Sequence, residues 1–366
     1  MNLTERESEI VALLRRDSLL DSTAIATALG TTRAAVNVHL SNLGKKGVIL
    51  GRGYVLGDGP SVVVIGGANM DIKATSANAA RPGTSNPGLT TFAAGGVGRN
   101  VAENLARLGT RTSLVAVVGA DALGDQVLAA TSDAGVRVEH VRRSAHGTGT
   151  YTAVLDADGE LVIAVADMRA TAELTPAAID EARDLIATAS LVVLDGNLAA
   201  ATLGYALDLA AASDVPVILE PVSVPKAEPL RALLDPERPI HVITPNRDEL
   251  GALVGRTISA DTEIADAVRE LQASGVTHVW VRLGEHGSLW CGPDGETVAL
   301  PAVAPSAVVD VTGAGDAMLA AFCHATLAGE AAHRAAEFAH AAAALTIASP
   351  HTVRPDLTDR LVRRLR

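Results

Sequence analysis

Asp310-Val-Thr-Gly-Ala-Gly-Asp316 runs straight into the apolar stretch Ala317-Met-Leu-Ala-Ala-Phe322, placing small residues and free backbone N–H groups at the start of a helix. Such a start binds anions. Its donors suit the negative charge that develops on a transferring phosphoryl group, and a carboxylate beside them can take the proton of an attacking hydroxyl. Asp316 is the candidate base, and Gly313, Ala314 and Gly315 form the candidate anion hole. Taken alone, these residues read more readily as a glycine turn with Asp as helix cap, since Asp is a preferred cap.

A second glycine run lies far upstream. Ala94-Gly-Gly-Val-Gly-Arg-Asn100 opens the helical segment 101–108. It is not a Walker A loop, because Gly-Lys-Ser/Thr is missing, and no clear strand runs into it as a dinucleotide fingerprint requires. Close approach of a ligand to the backbone accounts for its glycines. Asn100 then either bonds a substrate hydroxyl or caps its own helix.

Between and around these runs the chain alternates. Residues 62–65, 113–118, 191–194, 215–219, 241–244 and 278–283 are short apolar runs suited to buried parallel strands. Ala-rich helical stretches separate them, among them 101–108, 202–212 and 317–327. Right-handed crossovers then give an α/β fold, a mostly parallel sheet covered by helices on both faces. Residues 71–93 and 148–165, with Gly, Pro and alternating Thr and apolar residues, are expected to be strands of a lid. The composition agrees: of 366 residues 48% are hydrophobic but only 2% aromatic, so the core must come from Ala, Val, Leu and Ile. Cys291 and Cys323 are too few for a disulfide framework and lack zinc-site spacing. The charged first residues and the lack of an apolar run near the ~20 residues needed to span a bilayer make a cytoplasmic protein the expectation.

Residues 1–58 read as a separate domain, with 59–366 as the catalytic body. Thr4 and Glu7 form a capping-box pattern ahead of Ile10, Leu13 and Leu14. A second helix over 22–29 stops at Gly30, and Thr31 caps a third over 32–43 with Ala35, Val38 and Leu43 on its inner face. Residues 47–56 look like a hairpin around Gly51-Arg-Gly53, and 57–60 like a linker. Three helices and a hairpin resemble a winged helix-turn-helix, which makes Arg33, Asn37, His39 and Ser41 the candidates for DNA contact, flanked by Lys45, Lys46 and Arg52. The alternative is a small bundle used for packing. This segment holds seven basic side chains against six acidic ones, whereas the remainder holds 23 against 36. An acidic body disfavours broad nucleic-acid binding, so any DNA contact belongs to the N-terminal domain.

Together the two glycine runs resemble the hallmark motifs of the ribokinase-like sugar and nucleoside kinases, the PfkB family. The likeness spans about residues 61–356 and includes, in the family's order, Gly67-Ala-Asn69-Met-Asp71, Thr244-Pro-Asn246-Arg-Asp-Glu249 and Arg282-Leu-Gly284-Glu-His-Gly287. It implies a ribokinase-like three-layer sandwich with a small β lid, and an ATP-dependent kinase that uses Mg2+. It further implies that Asn69, Asp71, Gly95, Gly96 and Asn100 bind the substrate, and that Asn246, Arg282, Gly284, Gly287 and His340 serve ATP. Glu249 would organise magnesium through water, and Asp310 and Thr312 match a segment that binds a monovalent cation such as K+ in some relatives. Read without the resemblance, Asp71 is a cap after a strand, Asn246 and Glu249 are a turn and an exposed helix residue, and His340 is a packed histidine. Val311 departs from the commoner Thr and is expected to stay clear of the chemistry. Lid-mediated dimers are common in the family, making a homodimer the expected assembly.

Within that family, Ser85-Asn-Pro-Gly88, residues 95–109, Thr150-Tyr151, Ala166-Asp-Met168 and Glu220-Pro-Val-Ser223 most resemble pseudouridine kinases. This implies phosphorylation of the 5′-hydroxyl of pseudouridine to pseudouridine 5′-phosphate, with Asn86, Thr150 and Asp167 reading the base edge. Each of these three also suits a plain turn. Another nucleoside or a free sugar is the alternative acceptor, and a ligand-sensing transcriptional regulator with a kinase-like body the alternative role.

Overall fold

The computed structural model describes residues 3–50 and 59–366, and the chain divides into two compact units, Met1–Pro60 and Ser61–Arg366. The first unit contains helices Glu5–Arg16, Ser22–Ala28 and Arg33–Lys45 around Ile10, Leu14, Ile25, Val36 and Leu43. Thr4 and Glu7 do form a capping box. Thr32, not Thr31, caps the third helix, which shifts its inner stripe to Val36 and Leu43 and leaves Val38 60% exposed. Lys46, expected as a flanking phosphate contact, pairs at 2.7 Å with the buried Glu7 and ties the end of the third helix to the first. Most of the expected hairpin, with Arg52 and part of the linker, lies outside the described residues.

In the second unit the strands are β1 (Ser61–Ile65), β2 (Asn69–Ser76), β3 (Gly88–Gly95), β4 (Arg111–Gly119), β5 (Arg137–Ser144), β6 (Thr150–Leu155), β7 (Leu161–Asp167), β8 (Leu191–Asp195), β9 (Val217–Glu220), β10 (Ile240–Ile243), β11 (Val276–Arg282), β12 (Ser288–Cys291) and β13 (Thr297–Leu300). Nine of them form one sheet in the order β13-β12-β11-β10-β9-β8-β1-β4-β5, parallel except at β12 and β13. Alternation along β1 explains the layers. Val63 and Ile65 join one buried cluster and Val62 and Val64 the other, so each face of the sheet needs its own helical cover. Helices Ala200–Ala212, Arg247–Val254 and Asp261–Ala273 supply one cover; Val97–Leu108, Ala314–Leu327 and Ala332–Ile347 supply the other.

The expected lid is a second sheet, β3-β2-β6-β7. Its outer strands expose Leu89, Phe92, Leu161, Ile163 and Val165. The edge strand β5 alternates charged with apolar residues, and β12 and β13 are only four residues long, which hid all three from a reading of hydrophobic stretches. The helices begin three residues or so before the apolar stretches, because the helical first turns are built from Gly, Ala and polar residues. No helix among the described residues is long and apolar enough to cross a membrane.

The scarce aromatic residues are concentrated. The Phe322 ring lies 4.8 Å from Trp280 and 5.3 Å from Trp290, and Phe322 is almost wholly buried. Phe322→Ala should therefore leave a cavity under β11 and β12 and cost about 3–5 kcal/mol, read as a lower urea midpoint for the larger unit. An unchanged midpoint would show that the neighbouring alanines close the gap.

Candidate functional site

The chain leaves β1, builds β4 and β5 on one side, and returns as β8 on β1's other side. Such a reversal opens a crevice beyond the carboxyl ends of the two strands, where open α/β sheets bind ligands. Asp195 ends β8 in that crevice and is 1% exposed. Its Oδ2 accepts the backbone N–H groups of Gly67 and Gly98, both at 2.8 Å, and Oδ1 accepts that of Asn197 at 2.9 Å. One carboxylate thus joins the loop after β1 to the start of helix Val97–Leu108.

This junction explains the glycines of residues 95–98. A Cβ on Gly98 would stand 2.8 Å from the Gly66 Cα, one on Gly96 would stand 2.4 Å from the Gly67 carbonyl oxygen, and one on Gly95 would overlap the Asp71 carboxylate. The protein's own backbone and Asp71, rather than a ligand, demand these glycines, which corrects the expectation from sequence. Gly96 also takes φ +95° and occupies the N-cap. Asn100 is therefore not the cap; it sits one turn inside the helix.

Its amide points across to the other glycine turn. Asn100 Nδ2 donates to Asp316 Oδ2 at 2.8 Å, joining residues 216 positions apart. Gly313 is the N-cap of helix Ala314–Leu327 at φ +80°, so Asp316 lies at the third helical position and caps nothing. The Ala314 N–H donates to the Val311 carbonyl at 3.3 Å, which leaves Gly313, Gly315 and Asp316 as the backbone donors of this turn without a partner among the described residues. Burial drives the Asp316 pKa up to about 7; Asn100 opposes the shift, Glu220 adds to it, Arg282 opposes it, and Asp195 adds to it.

Beside Asp195, β9 ends in Glu220 and β11 in Arg282. Arg282 donates to Glu220 at 2.6 Å and lies 3.7 Å from Glu249, while the Thr244 hydroxyl donates to Glu220 at 2.7 Å. Asn246 and Glu249 form a capping box on helix Arg247–Val254, and Glu249 is buried rather than an exposed helix residue. Glu249 Oε2 accepts the Asn246 N–H at 2.9 Å and burial raises its pKa, while Oε1 has no partner among the described residues. No group of three or more metal-binding side chains occurs among the described residues. One free carboxylate oxygen nevertheless fits a magnesium ion, a hard cation that takes oxygen ligands and gives up its waters reluctantly.

Two cavities meet at the turn 313–316. One, of about 890 Å³, is lined by Asn69, Asp71, Gly96, Asn100, Thr312, Gly313 and Asp316. Asn69 donates to Asp71 at 2.7 Å and burial raises the Asp71 pKa. The same cavity takes in Tyr151, Met168, Asn197, Val222 and Lys226, to which sequence reasoning gave no role. The other, of about 640 Å³, brings together Arg282, Gly284, Gly287 and His340 with Ala314 and Gly315; Val311 also lines it, contrary to its expected distance from the site. Asn246 lines neither cavity.

Three candidates for reading a base do not line the first cavity. Asn86 is exposed and bonds the Arg81 and Thr84 backbone, bracing its own turn. Asp167 pairs with Arg169 at 2.6 Å, and Thr150 lies beside it in register. Gly95 stays behind Asp71. Asp310 accepts the Thr312 N–H at 2.9 Å and faces the Lys73 ammonium at 3.3 Å, so its charge is already met. Asp195 and Glu220 were the missed residues. Both were legible as a carboxylate closing an apolar strand run, the place where such sheets put ligand-facing groups.

The comparisons agree with this geometry. The profile of the pfkB family carbohydrate kinases matches residues 60–359. The chain is 37% identical over 358 residues to the uncharacterized sugar kinase YeiI of Escherichia coli (strain K12), covering 97% of each chain, a span that must take in much of the N-terminal unit. It is 33% identical to the pseudouridine kinase of the same strain over 81% of this chain and 93% of that one. Arabidopsis thaliana ribokinase, solved with ribose and ATP, matches with a TM-score of 0.74 at 27% identity, covering 84% of this chain and 98% of that one.

The Asp316 shift has a stability consequence. Its folded pKa of about 7 stands above the ordinary carboxylate value of 3.8, so stability present at low pH is lost as pH rises towards and through 7. Asp316→Asn carries no such penalty. Its melting temperature should exceed that of the parent by more at pH 8 than at pH 5; equal gaps at both would show that the carboxylate is not destabilised by burial.

Proposed function

The chain belongs to the pfkB family of carbohydrate kinases and is a phosphotransferase acting on a sugar or nucleoside hydroxyl; on that premise we propose that it uses ATP to phosphorylate the 5′-hydroxyl of pseudouridine. The observation that carries the reading is the shared wall of the two cavities. Gly313 and Asp316 face one and Ala314 and Gly315 face the other, so a phosphoryl group can pass across a single helix start.

The acceptor lies in the larger cavity, with Asn69 and Asp71 holding its hydroxyls. Asp316, oriented through Oδ2 by Asn100, takes the proton of the 5′-hydroxyl as that oxygen attacks the γ-phosphorus. The bond from phosphorus to the β,γ-bridging oxygen breaks, and ADP leaves. The free N–H groups of the 313–316 turn meet the charge on the equatorial oxygens. Glu249 would hold a magnesium ion through water, and that ion would supply screening of the phosphate charge. Arg282 keeps Glu220 and Glu249 from adding uncompensated charge beside the phosphates.

Pseudouridine is favoured over a free sugar because Tyr151, Met168 and Val222, all in the stretches that resemble pseudouridine kinases, reach the wall of the acceptor cavity. Phosphorylation assays with pseudouridine, uridine, inosine, ribose and fructose should give the highest kcat/KM for pseudouridine, rising through about pH 7 as Asp316 ionises. Asp316→Asn should retain ligand binding and lose turnover by a factor of at least about 100. Preference for ribose or fructose would remove the nucleoside assignment, and near-normal turnover in the variant would remove Asp316 as the base.

For the N-terminal unit we infer DNA binding through helix Arg33–Lys45. Asn37 and Ser41 are exposed on it, His39 is half-buried, and Arg33 is anchored to Ser22 at 3.1 Å. Binding to duplex DNA from beside the gene should weaken steeply between 50 and 200 mM salt and drop in Asn37→Ala. Binding that matches random duplex at every salt concentration would leave the unit as a packing element.

A further inference from the structure

The smaller cavity is walled mainly by apolar side chains, among them Val303, Met318 and Ile347, and its polar side chains are Arg282, Glu285 and His340. Arg282 is committed to Glu220, and Glu285 stands 89% exposed. His340 is therefore the buried polar group of this wall, at 5% exposure. In such a slot one fixed donor or acceptor decides which ligand is desolvated without loss.

Its proton can be placed by elimination. The Trp280 indole N–H can only donate, and it donates to Ser288 Oγ at 2.8 Å. The same Oγ lies 2.8 Å from His340 Nε2, and no other acceptor for the Ser288 hydroxyl occurs among the described residues. Ser288 is 1% exposed, so its proton must go to Nε2 or be left unpaired. Burial lowers the His340 pKa, so the ring is neutral near pH 7. A neutral imidazole that accepts at Nε2 carries its proton on Nδ1. His340 Nδ1 has no partner among the described residues and is not sealed from the cavity.

We propose that the Trp280–Ser288–His340 relay makes this cavity a reader of the nucleotide base, fixing an Nδ1–H donor that selects a base presenting a ring-nitrogen acceptor to it. The proposal rests on the kinase reading, since it seats the nucleotide here. His340 would touch the base; Ser288 and Trp280 act through it as positioning residues.

Calorimetric binding of ATP and of its 1-, 3- and 7-deaza analogues, each of which replaces one ring nitrogen by C–H, tests it. One analogue should bind the wild type roughly ten- to a hundredfold more weakly than ATP. In His340→Leu that analogue and ATP should bind alike. Ser288→Ala keeps the ring but frees its proton, so the gap should shrink through weaker ATP binding. Three analogues that match ATP on the wild type, or a gap that persists in His340→Leu, would overturn the proposal. Failure of ATP itself to bind would instead overturn the kinase reading, and the proposal with it.

Discussion

The site depends on one buried carboxylate. Asp195 receives three backbone N–H groups, from the loop after β1, the first turn of helix Val97–Leu108 and the turn after β8, two of them on a single oxygen. Charge-assisted bonds of this kind are among the stronger ones a protein makes, and a carboxylate has acceptor sites for all of them. Their effect is geometric: they draw the exit of β1 onto the start of helix Val97–Leu108 so closely that neither Gly66 nor Gly98 has room for a Cβ. Asn69 and Asp71 follow from the first of these segments and Asn100 from the second. All three face the same cavity because one side chain holds their backbones together.

The same residue raises an electrostatic difficulty that the sheet resolves unevenly. Asp195, Glu220, Glu249 and Asp316 cluster at the strand ends, and Arg282 is the cation that acts on three of them. Glu220 takes its direct hydrogen bond, and Glu249 its weaker attraction at 3.7 Å. Asp316 receives the Asn100 amide and only the distant field of Arg282, set against two like charges. Burial is the first cause of the Asp316 shift, and because Arg282 spends its hydrogen bond on Glu220 it only partly opposes that shift, which leaves Asp316 able to exchange a proton near neutrality. Pairing Asp316 directly with a cation would stabilise its charge and weaken it as a base.

Much of this was legible in the sequence because it is written in periodic or crowded residues. Apolar runs located the six inner parallel strands, and the two glycine runs located the helix starts. The glycines misled only in their cause, since a residue lacking Cβ looks the same whether a ligand or a loop crowds it. The polar residues of the lid misled more. Asn86, Thr150 and Asp167 were singled out for their hydrogen-bonding capacity, yet Asn86 spends its own on a turn, and for the two on strands side chains alternate between faces and register decides which face is which. In the β2–β6 pairing Tyr151 stands opposite Asp71, and it is Tyr151 that shares Asp71's cavity. No single-strand pattern carries that register. Asp195 and Glu220 were within reach, since each closes an apolar run, but their partners are loop N–H groups that leave no mark in a sequence.

The division between the two sheets bears on how such an enzyme can change its acceptor. Asp195, Glu220, Arg282 and the helix starts that carry Asn100 and Asp316 all belong to the nine-stranded sheet and its helices, where each is held by buried partners. Asp71 and Tyr151 stand on the four-stranded sheet, whose outer strands are largely exposed. Chemistry needs fixed geometry, because a small displacement of the base from the attacking hydroxyl costs rate steeply. Recognition of the acceptor tolerates substitution in a sheet with little core to disturb. Acceptor choice can therefore shift through residues such as Tyr151 and Met168 while the Asn100–Asp316 pair and its Asp195 clamp stay as they are, and likeness across the large sheet speaks for the reaction more firmly than for the molecule phosphorylated.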